Sequence, residues 1–183
     1  MPATKDEIAA RFMELAFRYG YRRTAVEDVA RELHISKKTV YEHFSSKDDL
    51  LRYALELSSR AQRARVESLL TETTALGRVQ QVIGIAMSDV RRFYESQPHE
   101  EMVEPPELQA QINDLVFAPM VRDLLVEGVA AGEFDVPDPD VTAAFVNAMG
   151  MEAVRMIRDD ASSRPEPVLL ESVRRLIVGI PST

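Results

Sequence analysis

The amino-acid sequence predicts an all-helical protein, and three observations support this fold class. Apolar side chains recur at intervals of three or four residues along most of the 183-residue chain, as they do on one face of a helix. Side chains that accept a backbone N–H, among them Thr4 and Ser36, directly precede several of these segments. The sequence lacks the sustained two-residue alternation and the hairpin turns that are typical of β-strands.

The first helix is predicted to start after Thr4 and to end at Gly20. Thr4 and Glu7 have the spacing of a capping box, in which each side chain accepts a hydrogen bond from the other residue's backbone. Glycine suits the residue that ends a helix because it tolerates a positive φ. The positions expected to face the core are Ile8, Phe12, Leu15, Ala16 and Tyr19.

Three further helix starts are predicted before residue 50. Thr24 and Glu27 repeat the capping-box spacing, Ser36 stands where it can cap a third helix, and Ser46 with Asp49 starts a fourth. The residues expected to face inward from these helices are Val26, Val29, Ala30, Leu33, Val40, Phe44, Leu50, Leu51, Ala54 and Leu57.

The rest of the chain is predicted to hold longer and more apolar helices. Pro98 stops one of them, Pro119 divides the next two, Gly132 closes the second of these, and Asp138 caps the helix that follows. The predicted segments are 75–97, 105–117, 119–132, 138–160 and 166–180, with loops at 99–107 and 161–167.

The composition argues against several classes of protein. The chain has no cysteine, so disulfides and thiolate metal sites are excluded, which fits a reducing cytoplasm. Residues 1–12 are charged and lack the apolar core of a secretory signal. No apolar run approaches the roughly 18–20 residues of a membrane-spanning helix. We therefore expect a cytoplasmic protein without a membrane partner, a cofactor or a metal.

The charge of the chain is unevenly distributed. The net charge is −8, yet residues 1–65 hold 13 Lys and Arg against 10 Asp and Glu, while the remainder holds 9 against 20. A mildly basic head before an acidic body is typical of a DNA-binding module joined to a second domain, although such blocks are often only solvated faces.

Residues 24–44 have the spacing of a helix-turn-helix motif. In that motif the second helix enters the major groove of DNA with its N-terminal residues against the base edges. The sequence predicts Lys37, Lys38 and Thr39 at base edges, and Tyr41 and Lys47 at phosphates. The full set of expected DNA contacts is Thr24, Ser36, Lys37, Lys38, Thr39, Tyr41, His43 and Lys47. Each also has a plainer interpretation, as a helix cap, a solvated lysine or a surface aromatic.

The stretch "TAVEDVARELHISKKTVYEHFSSKDDLL" resembles the N-terminal domain of the tetracycline-repressor (TetR) family of bacterial transcription regulators. The matching elements are Thr24 at the start of the second helix, "VA" at 29–30, "IS" at 35–36, "TVYEHF" at 39–44 and "SKDDL" at 46–50. The aromatic–glycine–aromatic run over Phe17, Gly20 and Tyr21 precedes them. The resemblance covers about residues 5–55.

Two residues depart from the family pattern. His34 stands where the family usually has glycine in the turn, and histidine tolerates a positive φ better than most side chains. Lys38 stands where a small residue is common. The turn is therefore expected to survive, whereas base preferences cannot be transferred from relatives.

The resemblance implies about nine helices, with a DNA-binding domain over residues 1–48 and an effector-binding and dimerisation domain over 49–183. It also implies a ligand-responsive repressor that binds a palindromic operator in double-stranded DNA as a homodimer. The alternative is a DNA-organising or protein-bridging member of the same fold that has no small-molecule effector.

Dimerisation is expected through the last two helices, because their apolar residues spread over more than one stripe. The alternative is that these residues are simply the core of one chain. The expected interface residues are Phe145, Met149, Met151, Val173, Leu176, Ile177 and Ile180.

A small, mostly apolar effector is the expected ligand, because methionine and aromatic side chains adapt to varied ligands. The same spacing also suits plain core. The candidate pocket residues are Met87, Val90, Phe93, Tyr94, Phe117, Met120, Phe145 and Met149.

An enzyme is the least favoured class. The densest titratable cluster is "HEEMVE", which holds His99, Glu100, Glu101 and Glu104. It contains a single histidine and lacks the H-E-x-x-H spacing of a zinc site. We therefore expect no catalytic residues.

Overall fold

The computed structural model describes residues 3–96 and 111–178, and every regular element in these residues is helical. The all-α class is therefore confirmed. Eight α-helices and one short π-helical turn lie in the described ranges, against about nine helices expected. They are α1 (Lys5–Tyr19), α2 (Val26–Glu32), α3 (Lys37–His43), α4 (Lys47–Leu69), α5 (Ala75–Ser96), the π-helical turn (Asn113–Phe117), α6 (Ala118–Ala130), α7 (Pro139–Asp159) and α8 (Glu166–Val178).

The chain divides into two compact units, whose boundary lies between Ala64 and Arg65 inside α4. Residues 111–112 belong to the first unit, and the chain from Asn113 onward belongs to the second. The predicted functional boundary after residue 48 stays a prediction, because a division by contacts does not say which residues bind DNA.

The start and the end of α1 confirm the sequence prediction. The N–H of Glu7 donates to Thr4 Oγ1 at 3.2 Å, and the N–H of Thr4 donates to Glu7 Oε2 at 2.7 Å. Gly20 ends the helix with a φ of 86° and donates its N–H to the carbonyl of Ala16. Tyr19 does not face the core as expected, since 48% of its surface is exposed at the end of the last turn.

The predicted capping box of α2 is wrong by one residue. Ala25 is the N-cap residue, and its N–H donates to the carboxylate of Asp28 at 3.0 Å. The hydroxyl of Thr24 turns the other way and donates to the carbonyl of Gly20 at 3.0 Å. The end of α1 thus competes with the start of α2 for the Thr24 side chain. Glu27, predicted as its capping-box partner, is therefore available for a different contact.

The starts of α3 and α4 confirm the predicted caps. The N–H of Thr39 donates to Ser36 Oγ at 3.0 Å, and the N–H of Asp49 donates to Ser46 Oγ at 3.0 Å. The carboxylate of Asp49 also accepts the N–H of Ser45 at 3.0 Å. Each serine satisfies a backbone donor that the first turn of a helix leaves unpaired.

The first unit has its own hydrophobic core, built from the predicted inward faces of α1 to α4. Burying side chains of this size contributes roughly 1.5–3 kcal/mol each, so this core is sufficient to fix the positions of the short helices. The largest fully buried side chains of this core are Ile8, Phe12, Val29, Val40, Phe44 and Leu50.

The second unit contains a helical path that Pro119 does not break. The predicted division between two helices is a π-helical turn over Asn113–Phe117, which runs directly into α6. Pro119 lies in the first turn of α6, where the fixed φ of proline suits a helix. Gly132 follows the helix with a φ of 74°, as expected of a residue that closes it.

The turn between α7 and α8 is held by Arg91 of α5. Its guanidinium donates to the carbonyls of Ala161 at 3.1 Å and Ser163 at 2.9 Å, and it forms an ion pair with Glu166. At the other end of α7, Asp138 caps the helix as predicted, because its carboxylate accepts two N–H groups of the first turn. The two apolar helices are therefore joined by a turn with a defined conformation.

Candidate nucleic-acid interface

The turn between α2 and α3 is the geometric basis of the candidate site. His34 has a φ of 53°, and it is the one non-glycine residue with a positive φ in residues 3–96 and 111–178. The N–H groups of His34 and Ile35 donate back to the carbonyls of Arg31 and Ala30, at 3.2 and 2.9 Å. The expectation that histidine occupies a positive-φ position here is confirmed, and the chain completes the turn of a helix-turn-helix.

The α3 helix has one buried side and one open side. Val40 and Phe44 are buried, with 1% and 2% of their surfaces exposed. The side chain of Lys38 is 86% exposed, and its ammonium lies 3.8 Å from the nearest carboxylate oxygen of Glu42. Tyr41 is also exposed, at 44%. The helix therefore presents a cation and a phenol to solvent while it is anchored by two apolar residues.

Lys37 differs from its neighbour because its ion-pair partner lies on another helix. It forms an ion pair with Glu27 in the first turn of α2, and it lies 5.7 Å from the centre of the Tyr41 ring. The hydrogen bond from Lys37 lowers the pKa of Glu27, and the same bond raises the pKa of Lys37. Both side chains are about half exposed. The predicted base contact of Lys37 therefore has a competitor within the protein.

Lys47 at the start of α4 is also engaged. Its ammonium donates to the carbonyl of Tyr21 at 2.7 Å and lies 4.4 Å from the centre of that ring. The phenol of Tyr21 donates to Asp48. Burial, followed by this hydrogen bond to Asp48, raises the pKa of Tyr21 to about 12. An ammonium has three N–H donors, so Lys47 keeps donors for a phosphate while Tyr21 fixes its position.

The eight residues predicted to contact DNA differ in how much of their surface is exposed. Thr24 is only 2% exposed, and its hydroxyl is bound to Gly20, so we withdraw it from the set of surface contacts. Thr39 and Lys47 are half-buried. The remaining five lie exposed on or beside α3: Ser36, Lys37, Lys38, Tyr41 and His43.

Two residues that sequence reasoning left out shape this surface. Glu27 pairs with Lys37, and Tyr21 holds Lys47. The sequence predicts Glu27 as part of a helix cap, and the one-residue shift of the α2 start makes it available to Lys37. Tyr21 is part of the aromatic–glycine–aromatic run, which is a signal that could have indicated its role.

The predicted pocket residues of the second unit do not share one environment. Met87, Tyr94 and Met120 are buried, with 4–5% of their surfaces exposed. Phe145 is 59% exposed and therefore does not line an interior pocket of one chain. The rings of Phe93 and Tyr94 pack edge to face at 5.4 Å. The other members of the set are Val90, which is buried, and Phe93 and Phe117, which are half-buried.

An open apolar groove of about 560 Å³ lies between α7 and α8. Met149 lines it, together with Met156 and Val168, which are 42% and 70% exposed. Met149 is the one predicted pocket residue on this groove, so the groove is not the cavity that the sequence predicted.

The predicted dimer interface needs a correction. Val173 and Ile177 have no exposed surface in the single chain, so they belong to its core and are wrong as interface residues. Phe145 and Leu176 are exposed, and Met149 and Met151 are half-buried. Ile180 lies outside the described residues.

The cluster that suggested an alternative enzyme also lies outside the described residues: His99, Glu100, Glu101 and Glu104. Within the described part of the chain, no group of three or more His, Asp or Glu side chains is placed to hold a metal ion. No helix in the same part of the chain is both long enough and apolar enough to cross a membrane.

The first unit consists of short helices joined by a tight turn, and one face of α3 is cationic. A separate helical unit follows it in the sequence. These features define a helix-turn-helix protein of two units. Residues 6–54 match the family described as bacterial regulatory proteins, tetR family. The match covers the helix-turn-helix unit, and over these residues the chain is similar to TetR-family regulatory proteins.

Solved structures show the same fold over nearly the whole chain. FadR from Bacillus subtilis, solved in complex with stearoyl-CoA, is 19% identical with a TM-score of 0.68, and the match covers 95% of this chain and 98% of that one. NemR from E. coli in its reduced form is 16% identical with a TM-score of 0.72, covering 96% and 97%. The TetR-family regulator PfmR from Thermus thermophilus is 24% identical with a TM-score of 0.58, covering 97% and 100%. No curated protein sequence matches the chain.

Proposed function

We propose that this chain is a ligand-responsive transcriptional repressor that binds a palindromic operator as a homodimer in the cytoplasm. The observation that carries the proposal is α3, which is anchored by Val40 and Phe44 and presents Lys38 and Tyr41 to solvent. A helix of this kind fits the major groove, and its outward side chains reach base edges and phosphates.

The contacts divide by position along the motif. Lys38 is the most exposed cation of α3 and is proposed to read a base edge, with guanine as the base that lysine contacts most often. Tyr41 and Lys47 are proposed to bind phosphates. Tyr21 holds Lys47 at the start of α4, so this contact is available before DNA arrives.

Dimerisation is supported by the apolar surface of α7 and α8. Phe145, Val168 and Leu176 are exposed on these helices, and Val168 lines an apolar groove together with Met149 and Met156. Contiguous exposed apolar surface is typical of a protein–protein interface. A two-fold dimer carries two copies of α3. These must lie about one turn of DNA apart, roughly 34 Å, to enter successive major grooves, which is the reason to expect a palindrome.

The effector is proposed to be a small and mostly apolar molecule bound in the second unit. The support is a buried set of methionines and aromatics, and a structural relative that was solved with stearoyl-CoA. The α4 helix contributes residues to both units. A ligand that biases the conformation of α4 by roughly 1–3 kcal/mol is sufficient to release DNA.

Selection of binding sites from random duplex DNA tests the DNA-binding part of the proposal. We expect recovery of a palindrome with two half-sites about one helical turn apart. Recovery of no enriched sequence contradicts an operator-specific regulator.

A thermal-shift screen with fatty acids, acyl-CoA esters and aromatic acids tests the effector part. A true effector raises the melting temperature in step with its concentration and weakens binding to the selected duplex. Ligands that stabilise the protein without changing its DNA affinity favour a DNA-organising or protein-bridging member of the fold.

A further inference from the structure

Adjacent lysines at the start of α3 have different environments, although both project from the same turn of one helix. The side chain of Lys38 is 86% exposed, and its ammonium forms a long ion pair, at 3.8 Å, with Glu42 one turn further along α3. The ammonium of Lys37 forms an ion pair with Glu27 of α2 and faces the ring of Tyr41 at 5.7 Å. Lys37 is therefore tied to another helix, whereas the ion-pair partner of Lys38 lies on α3 itself and is more distant.

We propose that Glu27 is a positioning residue that sets the DNA selectivity of this motif by holding Lys37 against α2. Lys38 is then the cation of this turn that is available to read a base. The inference rests on the proposed DNA-binding function and adds to it a residue that does not itself read a base.

The pair is suited to restrain Lys37 without locking it. Ion pairs between half-exposed side chains are weak in water and are screened by salt. Glu27 nevertheless places a negative charge beside the ammonium and in the first turn of the helix that crosses the DNA backbone. A phosphate must therefore displace the carboxylate of Glu27 from Lys37 and approach that same negative charge, which weakens any contact that Lys37 makes to the backbone.

The ion pair between Glu27 and Lys37 is expected to affect non-specific DNA binding more than operator binding. An ammonium without a partner binds phosphates on any sequence, because phosphate contacts carry no sequence information. A restrained Lys37 contributes little to that background, while Lys38 still discriminates between bases. The negative charge of Glu27 thus lowers the affinity for DNA of any sequence. It nevertheless raises the ratio of specific to non-specific affinity.

The test uses the full-length protein, the duplex recovered by selection and a scrambled duplex of the same length and composition. Glu27→Gln is expected to raise the affinity for the scrambled duplex about two- to fivefold, since an exposed pair is weak. The slope of log K against log salt is expected to steepen by about 0.9, as for one added phosphate contact. The ratio of operator to scrambled affinity is expected to fall.

Glu32→Gln is the matched control, because Glu32 is an exposed carboxylate at the other end of α2. It removes the same charge without touching Lys37. Glu27→Asp keeps the charge on a shorter side chain and is expected to restore part of the wild-type selectivity. Circular dichroism melts confirm that each variant folds.

The double variant Glu27→Gln/Lys37→Gln separates restraint from simple repulsion. If Glu27 acts through Lys37, its removal changes nothing further once Lys37 is neutral. An equal gain in the Lys37→Gln background, an equal gain from Glu32→Gln, or an unchanged salt slope overturns the inference. A wild-type protein that binds neither duplex instead overturns the proposed function.

Discussion

The two compact units differ in what they leave exposed. In the described part of the first unit, the large hydrophobic residues with the most exposed surface are Tyr19 and Tyr41, and both carry a hydroxyl. The second unit exposes aliphatic and aromatic side chains that have no polar group. They are Leu69, Leu115, Val126, Val141, Phe145, Met156, Val168, Leu176 and Val178.

Both units bury a core of their own, and the second in addition leaves large side chains without a polar group exposed. A tyrosine at the surface keeps its hydroxyl in water and its ring available for stacking or phosphate binding. An exposed leucine or valine has no such partner in water. The first unit is therefore suited to a charged ligand and the second to an apolar partner.

The sharpest test of this contrast lies on α8, where neighbouring residues have opposite environments. Ile177 has no exposed surface, whereas Leu176 is 41% exposed. Ile177→Glu buries a charge without a partner and is expected to destabilise the protein by roughly 4–5 kcal/mol or more. Urea denaturation followed by circular dichroism measures the loss. A variant as stable as wild type contradicts the core position of Ile177.

The double variant Val168→Glu/Leu176→Glu tests the solvent-exposed side of α8. Both side chains are exposed in the single chain, so the variant is expected to fold with a helical content like that of the wild type. Two charges in an apolar interface are expected to weaken dimerisation at least about 100-fold, or roughly 2.7 kcal/mol. Analytical ultracentrifugation at micromolar concentration gives the result. A wild-type protein that sediments as a monomer removes the proposed interface.

Lys38→Ala and Lys47→Ala test the charged side of the first unit. Lys38→Ala is expected to relax the preference at particular base pairs by about 5- to 150-fold, which corresponds to roughly 1–3 kcal/mol. Lys47→Ala is expected to weaken all sequences alike and to lower the salt slope by about 1. Titrations of selected and scrambled duplex at several salt concentrations distinguish the two. Uniform loss for Lys38→Ala with selective loss for Lys47→Ala means that the roles are reversed.

The smallest expected effect concerns the ionisation of Tyr21, which holds Lys47. Burial and the bond to Asp48 raise the pKa of Tyr21 to about 12. Because the folded state holds this proton more tightly than the unfolded state, the associated stability is complete below about pH 10 and is lost as the pH rises towards 12. The pKa of Tyr53 is also raised, by its hydrogen bond to Asp6. Ultraviolet absorbance of the phenolates should therefore lose one of its late-titrating tyrosines, and not all of them, in Tyr21→Phe.

Asp48→Asn provides the matched comparison for that titration. It removes the negative charge while keeping a side chain that can accept the phenol's hydrogen bond, so the late phase should move to lower pH. An identical titration curve for wild type and Tyr21→Phe contradicts the assigned environment.

Local sequence signals were sufficient for most of the fold. The caps at Thr4, Ser36, Ser46 and Asp138 form as predicted, because each depends on residues only two to four positions apart. The shift at Thr24 came from a distant competitor. Its hydroxyl binds the end of the preceding helix, which no pattern within α2 reveals.

The candidate site was predictable in part for a related reason. Helical periodicity placed Val40 inward and Lys38 outward, and it therefore located the exposed side of α3. It could not indicate which cation would find a carboxylate on another helix, as Lys37 does. The same limit explains why Val173 and Ile177 were wrongly predicted as interface residues. Periodicity identifies an apolar stripe, but it does not indicate whether that stripe packs against the same chain or another one.

The contacts that Arg91 makes with the turn between α7 and α8 affect the rate at which two chains would associate. Three attachments hold the turn between α7 and α8, so in the proposed dimer these helices offer their apolar side chains in one arrangement before the second copy binds. Little conformational entropy remains to be lost on contact. Encounters on this surface then resemble the docking of rigid bodies, with association at roughly 10⁵–10⁷ M⁻¹s⁻¹. The lifetime of the complex, rather than the speed of its formation, becomes the quantity on which substitutions in α7 and α8 act.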